Sequence, residues 1–208
     1  MYTLYYAVTS AAFAPCMVLE EVGADYELVE VDISKEKPRD PAFLKLNPNG
    51  WVPVLVDGDM VLHESAAIVM YLCDRHPEAG LAPAPDSALR GLYYQWLLYL
   101  ADTVQIAYQI NFYPERHSTD AGHIPAVMEK ARERLDRVWG YIDDSLGAGP
   151  YFLGNTISAC DLYAYMLATW HPAGTAEFLA TAPNLARVVD RVTQRPAVRR
   201  AMKSHGLA

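Results

Sequence analysis

Up to about residue 78 the apolar positions follow short, mixed periods; beyond about residue 87 they follow the helical period alone. Thr3 to Ala7 is a short apolar run rich in tyrosine, closed by Thr9-Ser10, and predicts a strand. Phe13, Met17, Val18 and Val22 then recur at helical spacing, and Gly23 supplies a stop. Tyr26 to Ile33 alternates apolar with acidic residues, the pattern of a half-buried strand. Lys35 to Pro41 is charged and proline-bearing and predicts a loop. A short helix follows and must end before Asn47-Pro48, because a proline pushes the preceding residue out of helical geometry. Val52 to Val56 and Met60 to Leu62 flank Asp57-Gly58, a tight hairpin signal. Ser65 to Arg75 places Ala66, Val69, Met70 and Cys73 on one helical side, and His76-Pro77 ends it. Residues 1–78 therefore read as βαβ, a helix, then ββα.

Gly80 to Asp86 holds Pro83 and Pro85 with little periodicity, which predicts a linker over 79–86. From 87 to 208 no strand pattern returns. Leu89 to about Tyr113 is a long aromatic-rich helical stretch closed near Pro114. Ile124 to Leu146 carries Val127, Ala131, Leu135, Val138 and Ile142 on one face and charges on the other. Helices over Cys160 to Trp170, Ala186 to Thr193 and Ala197 to Lys203 complete an all-helical second half. The expected fold class is an α/β domain followed by an all-α domain.

Composition narrows the partners. The chain has 25 acidic against 17 basic residues, a formal net charge of −8, which disfavours phosphate backbones and makes nucleic acid an improbable partner. Cys16, Cys73 and Cys160 are far apart, so neither a C-x-x-C redox pair nor zinc-site spacing is present. No metal site is expected. The N-terminus lacks a basic segment and carries Glu20 and Glu21 soon after its apolar stretch, unlike a signal peptide. No apolar run approaches the roughly 20 residues that span a bilayer. A cytoplasmic protein without membrane contact is the expectation.

Three local features occur in the first half in a fixed order. Thr9-Ser10 joins the first strand to the first helix; Asn47-Pro48-Asn49-Gly50-Trp51-Val52-Pro53 is a turn entering a strand through an X-Pro bond; His63-Glu64-Ser65-Ala66-Ala67-Ile68 is an acidic–hydroxyl pair at a helix start. Their chemistry fits one small zwitterionic peptide. A cis Val52-Pro53 bond would leave the Val52 N–H and C=O free to pair with an extended peptide. Ser65 and its N–H suit a carboxylate at the positive end of the helix dipole, and Glu64 suits an ammonium. Ser10 faces the middle of the same cleft.

This order, with the linker and the helical second half, resembles the cytosolic glutathione transferases over essentially the whole chain. Ser158-Ala159-Cys160-Asp161 also resembles the capping box that the family places before its buried sixth helix, and is read as structural. The closest sub-pattern is similar to the bacterial beta class, but that class's cysteine falls at Ala11, and its histidine and lysine on the fourth helix fall at Gln105 and Ile106. The resemblance implies a thioredoxin-like domain (1–78) holding glutathione and a helical domain (87–208) holding a second substrate. It implies attack of the activated thiolate on a small apolar electrophile, with glutathione as co-substrate, no other cofactor, and a homodimer. Isomerisation, dehalogenation or ether cleavage with glutathione, and a non-catalytic binding role, stand as alternatives.

Free thiol of the cysteine type, with a pKa of about 8.5, is only about 3% thiolate at neutral pH. A charge-assisted hydrogen bond from Ser10, at roughly 1.5–3 kcal/mol, is of the size that activation needs. Ser10 is therefore the expected catalytic residue. The competing readings are that it only caps the turn, or that backbone N–H groups near Ala11 and Ala12 do the work. Val52, Pro53, Glu64 and Ser65 are the expected glutathione ligands, with Lys35 and Lys37 reaching for the glycine carboxylate. Tyr108, Phe112, Tyr113 and Trp170 are expected to line the second-substrate pocket, although aromatics at helical spacing also serve as core.

Overall fold

A computed structural model describes residues 1–34 and 39–207. Four strands, β1 (Tyr2–Tyr6), β2 (Tyr26–Glu30), β3 (Val54–Asp57) and β4 (Met60–His63), form a mixed sheet in the order β2-β1-β3-β4. β1 runs parallel to β2 and antiparallel to β3, and β3 pairs antiparallel with β4. The parallel pair requires a crossover, supplied by α1 (Phe13–Val22), whose Gly23 takes the left-handed conformation at φ 65° that a side chain would resist. The antiparallel pair closes through a tight turn at Gly58, also at positive φ.

Short helix α2 (Pro41–Leu46) starts on Asp40, which accepts from the Ala42 N–H, with Pro41 at the first helical position. Its Phe43 packs with Val31 and Val54, and Tyr5, Ile33, Leu46 and Val52 lie against that cluster. α3 (Ser65–Arg75) covers the sheet with Ile68, Val69 and Leu72, and α1 adds Met17, Val18 and Leu19 to the same core.

Among the described residues seven α-helices follow: α4 (Leu89–Leu98), α5 (Gln105–Phe112), α6 (Ile124–Leu146), α7 (Ala159–Ala168), α8 (Thr175–Thr181), α9 (Pro183–Thr193) and α10 (Pro196–Ser204). The single long helix expected from 89 to 113 is interrupted by a π-helical stretch, Tyr99–Val104. α8 has no counterpart in the sequence expectation, because Pro172 and Gly174 precede it and Phe178 is its one buried residue. Every residue of α7 is buried, and it opens on a complete capping box. The Ser158 N–H and hydroxyl donate to Asp161 Oδ2 at 2.7 and 2.8 Å, and the Phe152 N–H donates to Oδ1 at 2.9 Å. Burial raises the Asp161 carboxyl to about 6 against these hydrogen bonds.

The chain divides into two compact units, Met1–Ser87 with Val192–Ala208, and Ala88–Arg191. The tail after residue 191 thus belongs with the sheet, whereas the periodicity had placed all of 87–208 in the helical half. The physical reason is a set of contacts far apart in sequence. Arg195 holds Glu21 through two 2.6 Å bonds, Arg200 pairs with Glu20, and His205 packs its ring on Tyr6 and Phe13. Among the described residues no helix is long and apolar enough to cross a membrane.

Candidate functional site

Sheet register gathers the three motifs. Tyr5 pairs with Val54, and Val54 pairs with His63, so the chain leaving β1, entering β3 and leaving β4 all lies at one end of the sheet. The turn 7–12, residues 51–53 and the start of α3 are therefore neighbours. One hydrogen bond ties two of them directly: the buried Ser65 hydroxyl donates to the Ala11 carbonyl at 2.7 Å.

Val52-Pro53 is a cis peptide bond. The Val52 side chain sits against the Phe43 cluster. Its N–H and C=O have no hydrogen-bond partner among the described residues. They form a short edge on which an extended peptide can pair. The turn before it is held by side chains. Asn47 accepts from the Asn49 N–H through Oδ1 at 3.1 Å and donates from Nδ2 to the Trp51 carbonyl at 2.8 Å.

At the start of α3 the first helical backbone bond runs from the Ile68 N–H to the Glu64 carbonyl, so the Ser65, Ala66 and Ala67 N–H groups have no acceptor among the described residues. Such donors suit a carboxylate. Glu64 itself is exposed and sits at φ 73°, a conformation that costs a non-glycine residue about 1–3 kcal/mol and turns the chain sharply into the helix.

The Ser10 hydroxyl is already engaged. It donates to the Ala7 carbonyl at 2.7 Å and accepts from the Ala12 N–H at 3.2 Å. Its hydrogen points into its own turn, which gives structural content to the capping reading. The Ala11 N–H, by contrast, has no acceptor among the described residues. Cys16 lies in the core of α1, where burial pushes its thiol up to about 12 and leaves it a packing residue.

Lys35 and Lys37 lie outside the described residues. Tyr108 has 0% exposure and packs the interior of the second unit, where its hydroxyl accepts from Trp139 Nε1 at 2.9 Å. It is core, because a ring stacked on Phe112 and met edge-on by Trp170 has no free face. Phe112 is exposed, Trp170 is half-buried, and Arg116 lies 4.0 Å over the half-buried Tyr113 ring. Those three remain candidates on the second unit.

Sequence reasoning missed Arg39. Its guanidinium donates to the carbonyls of Ile33, Ser34 and Gly50 at 2.8, 2.9 and 3.0 Å, and to Asp32 at 3.3 Å. No local pattern announces this, since an arginine in a charged loop looks the same whether it faces water or four carbonyls.

Known proteins resemble the chain over its length. The glutathione S-transferase N-terminal domain family matches residues 1–74, and the C-terminal domain family matches residues 96–196. Glutathione S-transferase F14 of Arabidopsis thaliana is 32% identical over 208 residues, covering 92% of this chain and 80% of that protein. Among solved structures, a sphingomonad glutathione S-transferase complexed with glutathione is 31% identical, with TM-score 0.82 over 99% of this chain and 100% of the other. The bacterial beta class glutathione S-transferase of Sphingomonas chungbukensis is 29% identical, with TM-score 0.84 over 99% and 100%.

Proposed function

The chain belongs to the glutathione S-transferase family, and on that premise we propose that it joins the glutathione thiol to an electrophilic carbon of a small apolar compound. Enzymes named glutathione S-transferase match it at full length, and a glutathione complex is among its structural neighbours. One observation carries the reading: unpaired donors and acceptors for a peptide backbone and a carboxylate converge beside the Ser10–Ala11 turn at one end of the sheet. Val52 would pair with the cysteinyl part of glutathione. The α3 N–H groups would take the γ-glutamyl carboxylate, with Glu64 near its ammonium. Glutathione is the co-substrate, and the chemistry requires no metal or organic cofactor.

In this reaction the thiol proton leaves to solvent and the thiolate sulfur forms a bond to carbon. The leaving group departs with its electron pair, or, in addition to an activated double bond, the carbanion takes a proton. Ser10 would stabilise the thiolate by turning its hydroxyl away from Ala7. That exchanges a neutral hydrogen bond of about 1 kcal/mol for a charge-assisted one of roughly 1.5–3 kcal/mol, so the exchange is favourable. A second reading has its own support: the Ala11 N–H, next to Ser10, is a donor in this turn that lacks an acceptor among the described residues.

Turnover of a generic electrophile and ultraviolet titration of the bound thiol test both readings. If Ser10 acts, Ser10→Ala raises the bound thiol pKa by about one unit or more, equivalent to about 1.4 kcal/mol, and lowers turnover. An unchanged pKa assigns activation to the backbone. A bound thiol with no shift in the wild type, together with no turnover, overturns the transferase proposal and favours a binding protein. The molecule is proposed to act as a two-fold dimer. The exposed Leu92, Tyr94 and Leu98 on α4 offer the apolar surface that such an interface needs.

A further inference from the structure

Arg39 takes on four carbonyls that no strand satisfies. β2 ends at Glu30, so Asp32, Ile33 and Ser34 have left the sheet, and the Gly50 carbonyl belongs to the turn before β3. A guanidinium carries five N–H donors in a rigid fork, and four of them are directed at these oxygens. The side-chain stem also fits its neighbour closely. A Cβ at Gly50 would stand 3.2 Å from Arg39 Cγ and 3.4 Å from Leu44 Cδ2, and Gly50 is at φ 70°. Glycine lets the turn bend this way without backbone strain and leaves room for the arginine to pass alongside it.

The consequence falls one step further along the chain. Arg39 pins the Gly50 carbonyl and Asn47 pins the Trp51 carbonyl, and the next residue is Val52, whose own N–H and C=O have no partner among the described residues. We propose that Arg39 is a positioning residue: by clamping the loop 32–34 to the turn 47–51 it fixes the Val52 edge in the geometry that receives glutathione. The inference rests on the glutathione reading of that edge. A pre-set edge binds without having to order a loop first, and that saving appears in affinity rather than in the chemical step. A lysine cannot replace the arginine, since one ammonium offers three donors from a single point and cannot span carbonyls on two segments.

The test compares wild type with Arg39→Met, Arg39→Lys and Gly50→Ala. Arg39→Met keeps an apolar stem and removes the fork, while Gly50→Ala disturbs the same clamp from its other side. The measurements are glutathione affinity by calorimetry, kcat at saturating glutathione, and amide hydrogen exchange at Gly50, whose N–H donates to the Asn47 carbonyl at 2.9 Å. Affinity is also measured for glutathione esterified at its glycine carboxylate. All three variants should lose about tenfold in affinity or more, with kcat within about twofold of wild type. Exchange of the residue-50 amide should quicken in each, and the loss should be the same for glutathione and its ester. Wild-type affinity in Arg39→Met overturns the proposal. So does a loss seen with glutathione but absent with the ester, because the guanidinium would then be a direct ligand of the carboxylate. If the wild type itself binds no glutathione, the proposed function falls separately, and unchanged Gly50 exchange in Arg39→Met then refutes the clamp as well.

Discussion

Replacing His205 with phenylalanine should flatten the acid side of the protein's stability profile. The ring of His205 is 0% exposed, lies 5.2 Å from the Tyr6 ring and 5.0 Å from the Phe13 ring, and has no hydrogen-bond partner for either nitrogen among the described residues. Burial alone lowers its pKa from 6.5 to about 4. The unfolded chain takes up a proton near pH 6.5, whereas the folded chain resists until near pH 4. Stability from this residue is therefore complete above about pH 6.5 and is lost as pH falls toward 4. A separation of about 2.5 units corresponds to about 3 kcal/mol over the full window, of which about 2 kcal/mol is gone by pH 5. The variant keeps the ring contacts and removes the titration. Urea unfolding at pH 7.5 and pH 5, at one protein concentration, measures the difference in slope. That difference does not depend on any repacking cost of the larger ring, which is the same at both pH values. Asp161 acts with the opposite sign, since a raised carboxyl pKa costs stability as pH rises from about 4 to 6, but both chains carry it. Equal losses between pH 7.5 and pH 5 in wild type and variant would refute the argument.

Asp161→Ala should lower stability by about 3 kcal/mol or more in urea unfolding, because it strands the Ser158 and Phe152 N–H groups in the interior. Glu21→Ala should cost about 2 kcal/mol and speed amide exchange in α10 more than in α1, since Glu21 is 7% exposed and grips Arg195 with both oxygens. Glu64→Ala should weaken glutathione more than tenfold by calorimetry, Ser65→Ala should weaken it by releasing the Ala11 carbonyl that its hydroxyl holds at 2.7 Å, and unchanged affinity in both would remove the peptide from its proposed place. Light scattering at micromolar concentration should report a dimer, and Leu98→Glu should shift it toward monomer.

Local signals determined a great deal on their own. The bounds of α1, α3 and α6 follow from apolar spacing, with Gly23 and His76-Pro77 closing the first two. The hairpin follows from Asp57-Gly58, and the capping box from Ser158 and Asp161 three residues apart, because all these devices act within a few residues along the chain. The family resemblance was legible for the same reason, since its motifs are turns and helix starts.

What tertiary structure alone decided are the relations that join distant segments. Whether Tyr108 lines a pocket or fills a core depends on Trp139 and Trp170, far along the chain and invisible to a helical wheel centred on residue 108. Whether the Ser10 hydroxyl faces a ligand or its own turn depends on the Ala7 carbonyl and on a backbone with Thr9 at φ 57°. That the chain end returns to the sheet depends on Arg195 meeting Glu21 across 174 residues, and on a buried histidine that sequence marks only as one of six. Periodicity records which face of an element avoids water. It carries no record of which other face will cover it, and the clamp at Arg39, the docking of α10 and the gathering of three motifs at one sheet end are all choices of partner.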